Sequence, residues 1–169
     1  MASDIVRTGP VVGATTYVND KLVERDYGFT LPNVAFMTAA INAHGEMNVP
    51  IPQLLEDMEH SLTKVGADAG LAALSVGEPI DIEHRWVYLK INANGSTQNI
   101  GCKAFLHCLP KGVPELEITP GEITEAEATF TVTRYRLVVD GKEIVLIDRI
   151  ANICKINGKD YAVDIEAML

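Results

Sequence analysis

Cys102, His107 and Cys108 form the one cluster in this chain with the residue types of a metal site. Zinc requires four donors converging on one point, usually with paired cysteines two to four residues apart. Here the cysteines stand six apart, and in a strand His107 and Cys108 would point to opposite faces. Buried, inert thiols are therefore expected, and no metal. Cys154 follows an apolar connector and has no histidine near it in sequence. An odd count of three cysteines suits a chain kept reduced, with all three as free thiols. His44, His60 and His84 could each act as a base, but no nucleophile context such as G-x-S-x-G accompanies them. Carboxylates cluster at Glu56, Asp57 and Glu59, at Glu115 and Glu117, and at Glu122, Glu125 and Glu127. A hydrolytic pair must face across a cleft, which adjacency in sequence does not provide, and a solvated acidic face is the commoner outcome. The glycines match neither G-x-G-x-x-G nor a phosphate-binding loop. No active site and no cofactor site emerges, and the chain reads as a non-enzyme.

The elements that would position these groups are mostly strands. Residues 128–161 carry two turn signals, Asp140-Gly141 and Asn157-Gly158, between β-branched runs. Both dipeptides suit two-residue type I′ turns, because Asp or Asn tolerates positive φ and Gly adopts it freely. Thr129, Thr131 and Thr133 alternate with Phe130 and Val132, the period of a strand with one apolar face. Further strands are expected near 81–91, 101–109 and Glu125–Val139, the first two flanking a loop at 92–96. Toward the N-terminus, residues 1–13 read as a loosely held segment broken by Gly9-Pro10 and Gly13. Residues 15–18 read as a short strand, Asn19-Asp20 as a turn and 34–41 as a longer strand. His44-Gly45-Glu46 opens a loop running through Pro50 and Pro52, which stay out of any central strand. Residues 53–65 read locally as helix, because Leu54, Met58, Leu62 and Val65 make a helical stripe. Residues 67–75 read as a short helix closed by Gly77 and Pro79.

Composition narrows the function classes. The 169 residues suffice for one domain with a real core. Apolar residues are 47 % and charged residues 22 %, with mean hydropathy +0.12. That is apolar for a monomer's surface, so some of it is expected to be reserved for partner subunits. No stretch is long enough to span a membrane, and 144–153 is interrupted by Asp148 and Arg149. A formal charge of −9 with scattered cations argues against binding nucleic acid by neutralising phosphates. The first ten residues contain Asp4 and Arg7 and lack the apolar core of a signal peptide.

One order of motifs is more specific. A tyrosine-containing strand, then LVVDGKEIVLID, an apolar connector and KINGKDY, resembles the C-terminal half of the major tail tube protein of contractile-tailed bacteriophages. R-type bacteriocins carry a related tube. Phe29-Thr30-Leu31-Pro32-Asn33 is similar to the segment that opens that family's long N-terminal hairpin. Leu55-Glu56-Asp57-Met58-Glu59, followed by Gly66, resembles a family segment of the form L-E-x-M-E. Gly121-Glu122 falls where the family places Gly-Glu ahead of its long penultimate strand. The similarity spans most of residues 15–161.

That resemblance implies a mainly β tail-tube fold over residues 1–169: an antiparallel sandwich or barrel with long hairpins and one short flanking helix. Within 53–65 it implies, instead of that helix, a loop and then a strand from Met58 to Val65 on which Met58, His60 and Leu62 alternate. It further implies a structural subunit that stacks as hexameric rings into the inner tube of a contractile phage tail or headless bacteriocin. The tube would be assembled in the bacterial host cytoplasm and end in the virion tail, with a sheath outside and tape measure protein and DNA passing through the lumen. Hairpin one would run from Val34 through the strand after Pro52, and hairpin two would join 101–109 to Glu125–Val139. If hairpin two lines the channel, Phe130 and Val132 claim the core and Glu127, Thr129, Thr131 and Thr133 face the lumen. The segment carrying His44, Glu46, Met47, Val49 and Ile51 is expected to reach a neighbouring subunit. The competing reading is a soluble β-sandwich module binding a carbohydrate or small ligand. It would need exposed aromatics, yet these are 6 % of the chain and Trp86 is the single tryptophan.

Overall fold

The computed structural model describes residues 7–75 and 77–169, and they are mainly antiparallel β. Strands β1 (Arg7–Val18) and β2 (Lys21–Arg25) form a hairpin across Asn19 and Asp20, which take φ of 47° and 66°. The two-residue strand β3 (Phe29–Thr30) precedes a hairpin of β4 (Phe36–Asn42) and β5 (Glu46–Leu55). After β6 (Glu59–Val65) comes a short helix α1 (Ala69–Leu74), then β7 (Ile80–Ile91), β8 (Thr97–Pro110) and β9 (Glu125–Val139). The chain closes with β10 (Lys142–Asp148), β11 (Ile153–Ile156), β12 (Lys159–Asp160) and a four-residue helix α2 (Val163–Glu166). The main sheet runs β12-β11-β10-β9-β8-β7-β1-β2. Strand β6 adds to β9 and carries β3 on its other side, while β4 and β5 pair only with each other.

Both dipeptide turns behave as their chemistry requires. Asp140 and Gly141 take φ of 50° and 75°, Asn157 and Gly158 take 50° and 84°, the left-handed values of a type I′ turn. Beside the turns the pairing is direct, Lys142 with Val139 and Glu143 with Val138 in β9–β10 and Ile156 with Lys159 in β11–β12, and β9–β10 shifts register only between Glu143 and Val145. The core follows from period-two alternation: His60, Leu62 and Lys64 of β6, Ile80, Ile82, His84 and Trp86 of β7, and Cys102, Ala104, Leu106 and Cys108 of β8 all point inward. Met58, Phe130 and Ile147 are fully buried among them.

Strand β9 is shared. Its first half, Glu125 to Thr131, pairs with β6, and its second half, Arg134 to Val139, pairs with β10. The change of partner coincides with a β-bulge: His107 faces Arg134 and Cys108 faces Val132, so Thr133 has no opposite number on β8. The Thr133 hydroxyl donates to the His107 carbonyl at 3.1 Å. The inserted residue resets the alternation, burying Val132 and Tyr135 with two outward residues between them.

Three expectations are corrected here. Residues 7–13 are not loosely held. They belong to β1, where Arg7 pairs with Ile91 and Val11 with Tyr88. Register shifts fall either side of Val11, and β2 flanks β1 only from Thr15 onward, so Pro10 sits on an edge where its missing N–H forfeits no ladder bond. Residues 1–6 lie outside the described residues. Likewise the loop expected through Pro50 and Pro52 is strand β5, tolerated because that strand has one neighbour only. Within 53–65 the strand that the resemblance implies is β6, starting at Glu59, but residues 53–55 are the end of strand β5 and not loop, with a break only at 56–58. The helical stripe fails because Leu54 is half exposed while Met58 and Leu62 are buried.

Helix α1 forms where the short alanine-rich run predicts it. Asp68 caps it, accepting from the amides of Gly70 at 2.8 Å and Leu71 at 3.2 Å, and Leu71 and Leu74 anchor it to the core. Beside it, buried Lys64 donates to the Val65 carbonyl at 2.7 Å and pairs with Glu24 and Asp68, each at 3.2 Å. Burial alone would raise the Glu24 carboxyl, but amide hydrogen bonds from Val65 and Arg25 and the Lys64 ammonium leave it below the usual value. Every buried side-chain nitrogen and oxygen among the described residues has a hydrogen-bond partner.

Candidate assembly surfaces

Among the described residues, the hairpin β4–β5 has a face without a partner. Its register places Met37 opposite Ile51, Ala39 opposite Val49 and Ile41 opposite Met47, and residues directly opposite in a ladder share a face. Three apolar cross-strand pairs therefore line one side. The other side carries Thr38 with Pro50, Ala40 with Asn48 and Asn42 with Glu46. Met37, Ile41 and Met47 are each 47 % exposed, so the subunit leaves the apolar side open. At the tip His44 and Gly45 take φ of 53° and 120°, closing the turn with an Ala43 amide bond to the Gly45 carbonyl. Of the five residues expected to reach a neighbour, Met47, Val49 and Ile51 share the apolar face, Glu46 lies on the opposite face and His44 forms the turn.

A second surface is the outward side of β6 and β9. Thr63 stands opposite Glu127, Ser61 opposite Thr129 and Glu59 opposite Thr131, while Phe130 and Val132 are buried on the inner side. Glu127, Thr129 and Thr131 thus form one hydrated row with Ser61 and Thr63 beside them. Thr133 departs from that row, because the bulge turns its hydroxyl to the His107 carbonyl. Past the bulge the outward side becomes cationic. Arg136 reaches Glu143 at 2.6 Å and lies over the Phe105 ring, and Arg134 stands opposite His107.

The metal-type cluster is dispersed. Cys108 is fully buried while His107 faces outward and bonds Asp81 at 2.7 Å, the opposite-face geometry its strand dictates. Burial holds all three thiols protonated, pushing Cys108 up to about 12 and raising Cys102 and Cys154. Among the described residues, no three His, Cys, Asp or Glu side chains are placed to hold a metal ion. Trp86 offers no ligand platform either, since it is buried against Phe29 and Tyr88. Among the described residues, no helix is long and apolar enough to cross a membrane.

Sequence reasoning missed buried Lys64 and the junction of His60 with His84. The first had no signal beyond its strand parity with His60 and Leu62. For the second, the Met58, His60, Leu62 alternation already put one imidazole on the core side, but its partner lies 24 residues further along.

Comparison with known proteins agrees with this architecture. A chain of the sheath–tube complex of an extracellular contractile injection system (PVC), in its extended state, superposes with a TM-score of 0.50 at 15 % identity, covering 77 % of this chain and 89 % of that one. A chain from the sheath/tube terminator of such a system gives 0.48 at 14 % identity, over 77 % and 94 %. No protein with a curated description matches. The sequence profile of the phage tail tube protein FII family matches residues 11–169, and with nearly the whole strand order inside that match, the chain belongs to this family of phage tail tube proteins.

Proposed function

We infer that the protein is a structural rather than catalytic unit, residues 1–169 acting as one tail-tube domain that self-assembles into stacked rings of six. These form the inner tube of a contractile phage tail or of a headless, bacteriocin-like device, inside a sheath. The observation that carries this is the β4–β5 hairpin, on whose apolar face Met37, Ile41 and Met47 stand exposed with no cover among the described residues. An isolated two-stranded ribbon is marginal in water, and its free edges invite pairing with a neighbouring chain. Ring closure would remove those edges. In this reading the segment from His44 to Ile51 is an inter-subunit element, and the Glu127, Thr129, Thr131 row lines the lumen. Tape measure protein and DNA would pass there without specific binding, because carboxylates and hydroxyls give phosphate no cationic anchor. Assembly would take place in the bacterial host cytoplasm. Deleting residues 46–49 tests the hairpin. The expected result is a folded subunit that gives no rings in negative-stain microscopy, while the intact chain gives rings or tubes with a central hole. Normal tubes from the deletion variant would overturn the assignment.

A further inference from the structure

His60 and His84 are fully buried side by side, with ring centroids 4.8 Å apart. Their hydrogen bonds fix every proton. The Thr30 carbonyl can only accept, so His60 Nδ1–H must donate to it, at 2.7 Å. In a neutral ring that leaves His60 Nε2 as acceptor, and it lies 2.9 Å from His84 Nε2, which must then donate. His84 Nδ1 in turn accepts from the Thr16 hydroxyl at 2.8 Å. The chain Thr16, His84, His60, Thr30 runs in one direction, with both imidazoles neutral and nothing unsatisfied. It crosses β1, β7, β6 and β3. Phe29 stacks on His84 at 3.9 Å and Phe130 on His60 at 5.7 Å.

Its position gives it a consequence. Strands β3 and β6 are the two roots of the projecting β4–β5 hairpin, and they pair through Phe29 with Leu62 and Thr30 with Ser61. We propose that this histidine chain is an acid-sensitive clasp, which holds the hairpin's root closed while both rings are neutral and releases it when protons enter. One extra proton makes a cation of one ring, either His84 donating from both nitrogens with the Thr16 hydroxyl turned to accept, or His60 donating to a reversed His84, and in each case the charge is stranded among aromatic rings. Two cannot be held, because both Nε2 atoms would then carry hydrogen. Among the described residues, neither ring has a carboxylate partner. Tyr88 of β7 and Tyr161 pack at the margin of the core, and the buried titratable groups among the described residues are Lys64 of β6, matched by Glu24 and Asp68, Cys102 and Cys108 of β8, Tyr135 of β9 and Cys154 of β11. Burial keeps these thiols and the Tyr135 phenol uncharged. On the β1 side, Asp26 accepts from the Ala14 amide and does not reach the rings.

Burial lowers His60 from 6.5 to about 4, and burial together with the neighbouring His60 lowers His84 to about 2. The unfolded chain therefore binds more protons than the folded one below pH 6.5, and stability falls as pH drops from there toward 4. Two undelivered protons correspond to a folding constant that drops by up to about a hundredfold per pH unit.

Imidazole nitrogen NMR of the intact chain tests the clasp, with exposed His44 as the reference signal. The expected result is Nδ1–H for His60 and Nε2–H for His84, unchanged from pH 8 to 5. The opposite tautomer at His60, or either buried ring titrating near 6.5, overturns it. His60→Gln retains a donor for Thr30 and an acceptor for His84 but cannot titrate. It should remove about tenfold per pH unit from the slope, whereas an unchanged slope rejects the proposal. Amide exchange, corrected for intrinsic rates, should show β3 and β6 opening in acid before the β7–β8 ladder, and uniform loss across both would reduce the chain to a core packing feature.

Discussion

Two antiparallel ladders in this molecule, β4–β5 and β8–β9, are built alike and live in different surroundings. Each alternates one apolar face with one polar face. In β8–β9 the apolar face is sealed: Cys102, Ala104, Leu106, Cys108, Phe130 and Val132 are all buried. In β4–β5 the equivalent face of Met37, Ile41 and Met47 is open. Hydrophobic stabilisation scales with the area taken from water. The same residue types are therefore stabilising in one ladder and unspent in the other until something covers them. The contrast separates residues that hold the subunit together from residues held in reserve.

The largest effect expected from breaking this contrast is at Phe130, which is fully buried against His60. Phe130→Ala should cost about 3–5 kcal/mol, enough to unfold a marginal domain, as read by urea denaturation of the unassembled subunit. A loss below about 1 kcal/mol would mean that the core is not where the burial pattern places it. Ile41→Ala truncates an apolar side chain on the open face, by three carbons against the six of the phenyl ring. It should change subunit stability by less than about 0.5 kcal/mol yet weaken tube formation in a sedimentation assay, and a large loss of stability in the subunit would show that the hairpin is covered internally. The smallest effect on folding is expected for Thr131→Lys on the outward face of β9, within about 0.5 kcal/mol. In assembled tubes it should add salt-sensitive retention of short DNA by placing a cation on the inner wall. Tubes of this variant that remain indifferent to DNA would remove β9 from the channel.

Legibility from the sequence tracked the range of the interactions. The two turns at Asp140-Gly141 and Asn157-Gly158 were plain because their φ values are properties of the dipeptides themselves. The alternation of Phe130 and Val132 with threonines gave the inner and outer faces of β9, since a strand's period is local. The open face of β4–β5 was half visible. Met47, Val49 and Ile51 signalled apolar surface, but Pro50 and Pro52 disguised a strand as a loop, and only pairing with Met37 and Ile41 defines the face. The bulge at Thr133 could not be read, because it exists in the register between β8 and β9 and in neither strand alone. The strand through Gly9-Pro10 was hidden for a similar reason: whether a proline interrupts a strand depends on whether anything lies beside it.

That unreadable bulge also sets the electrical geography of the molecule. Along β9 the outward charges are Glu125 and Glu127 before residue 133 and Arg134 and Arg136 after it, odd numbers giving way to even. Were the strand to run on with unbroken parity, the two guanidinium groups would be driven into the interior and the Tyr135 ring out into water. One unmatched threonine is what allows a single continuous strand to present an anionic wall at one end and a cationic wall at the other, with oil behind both.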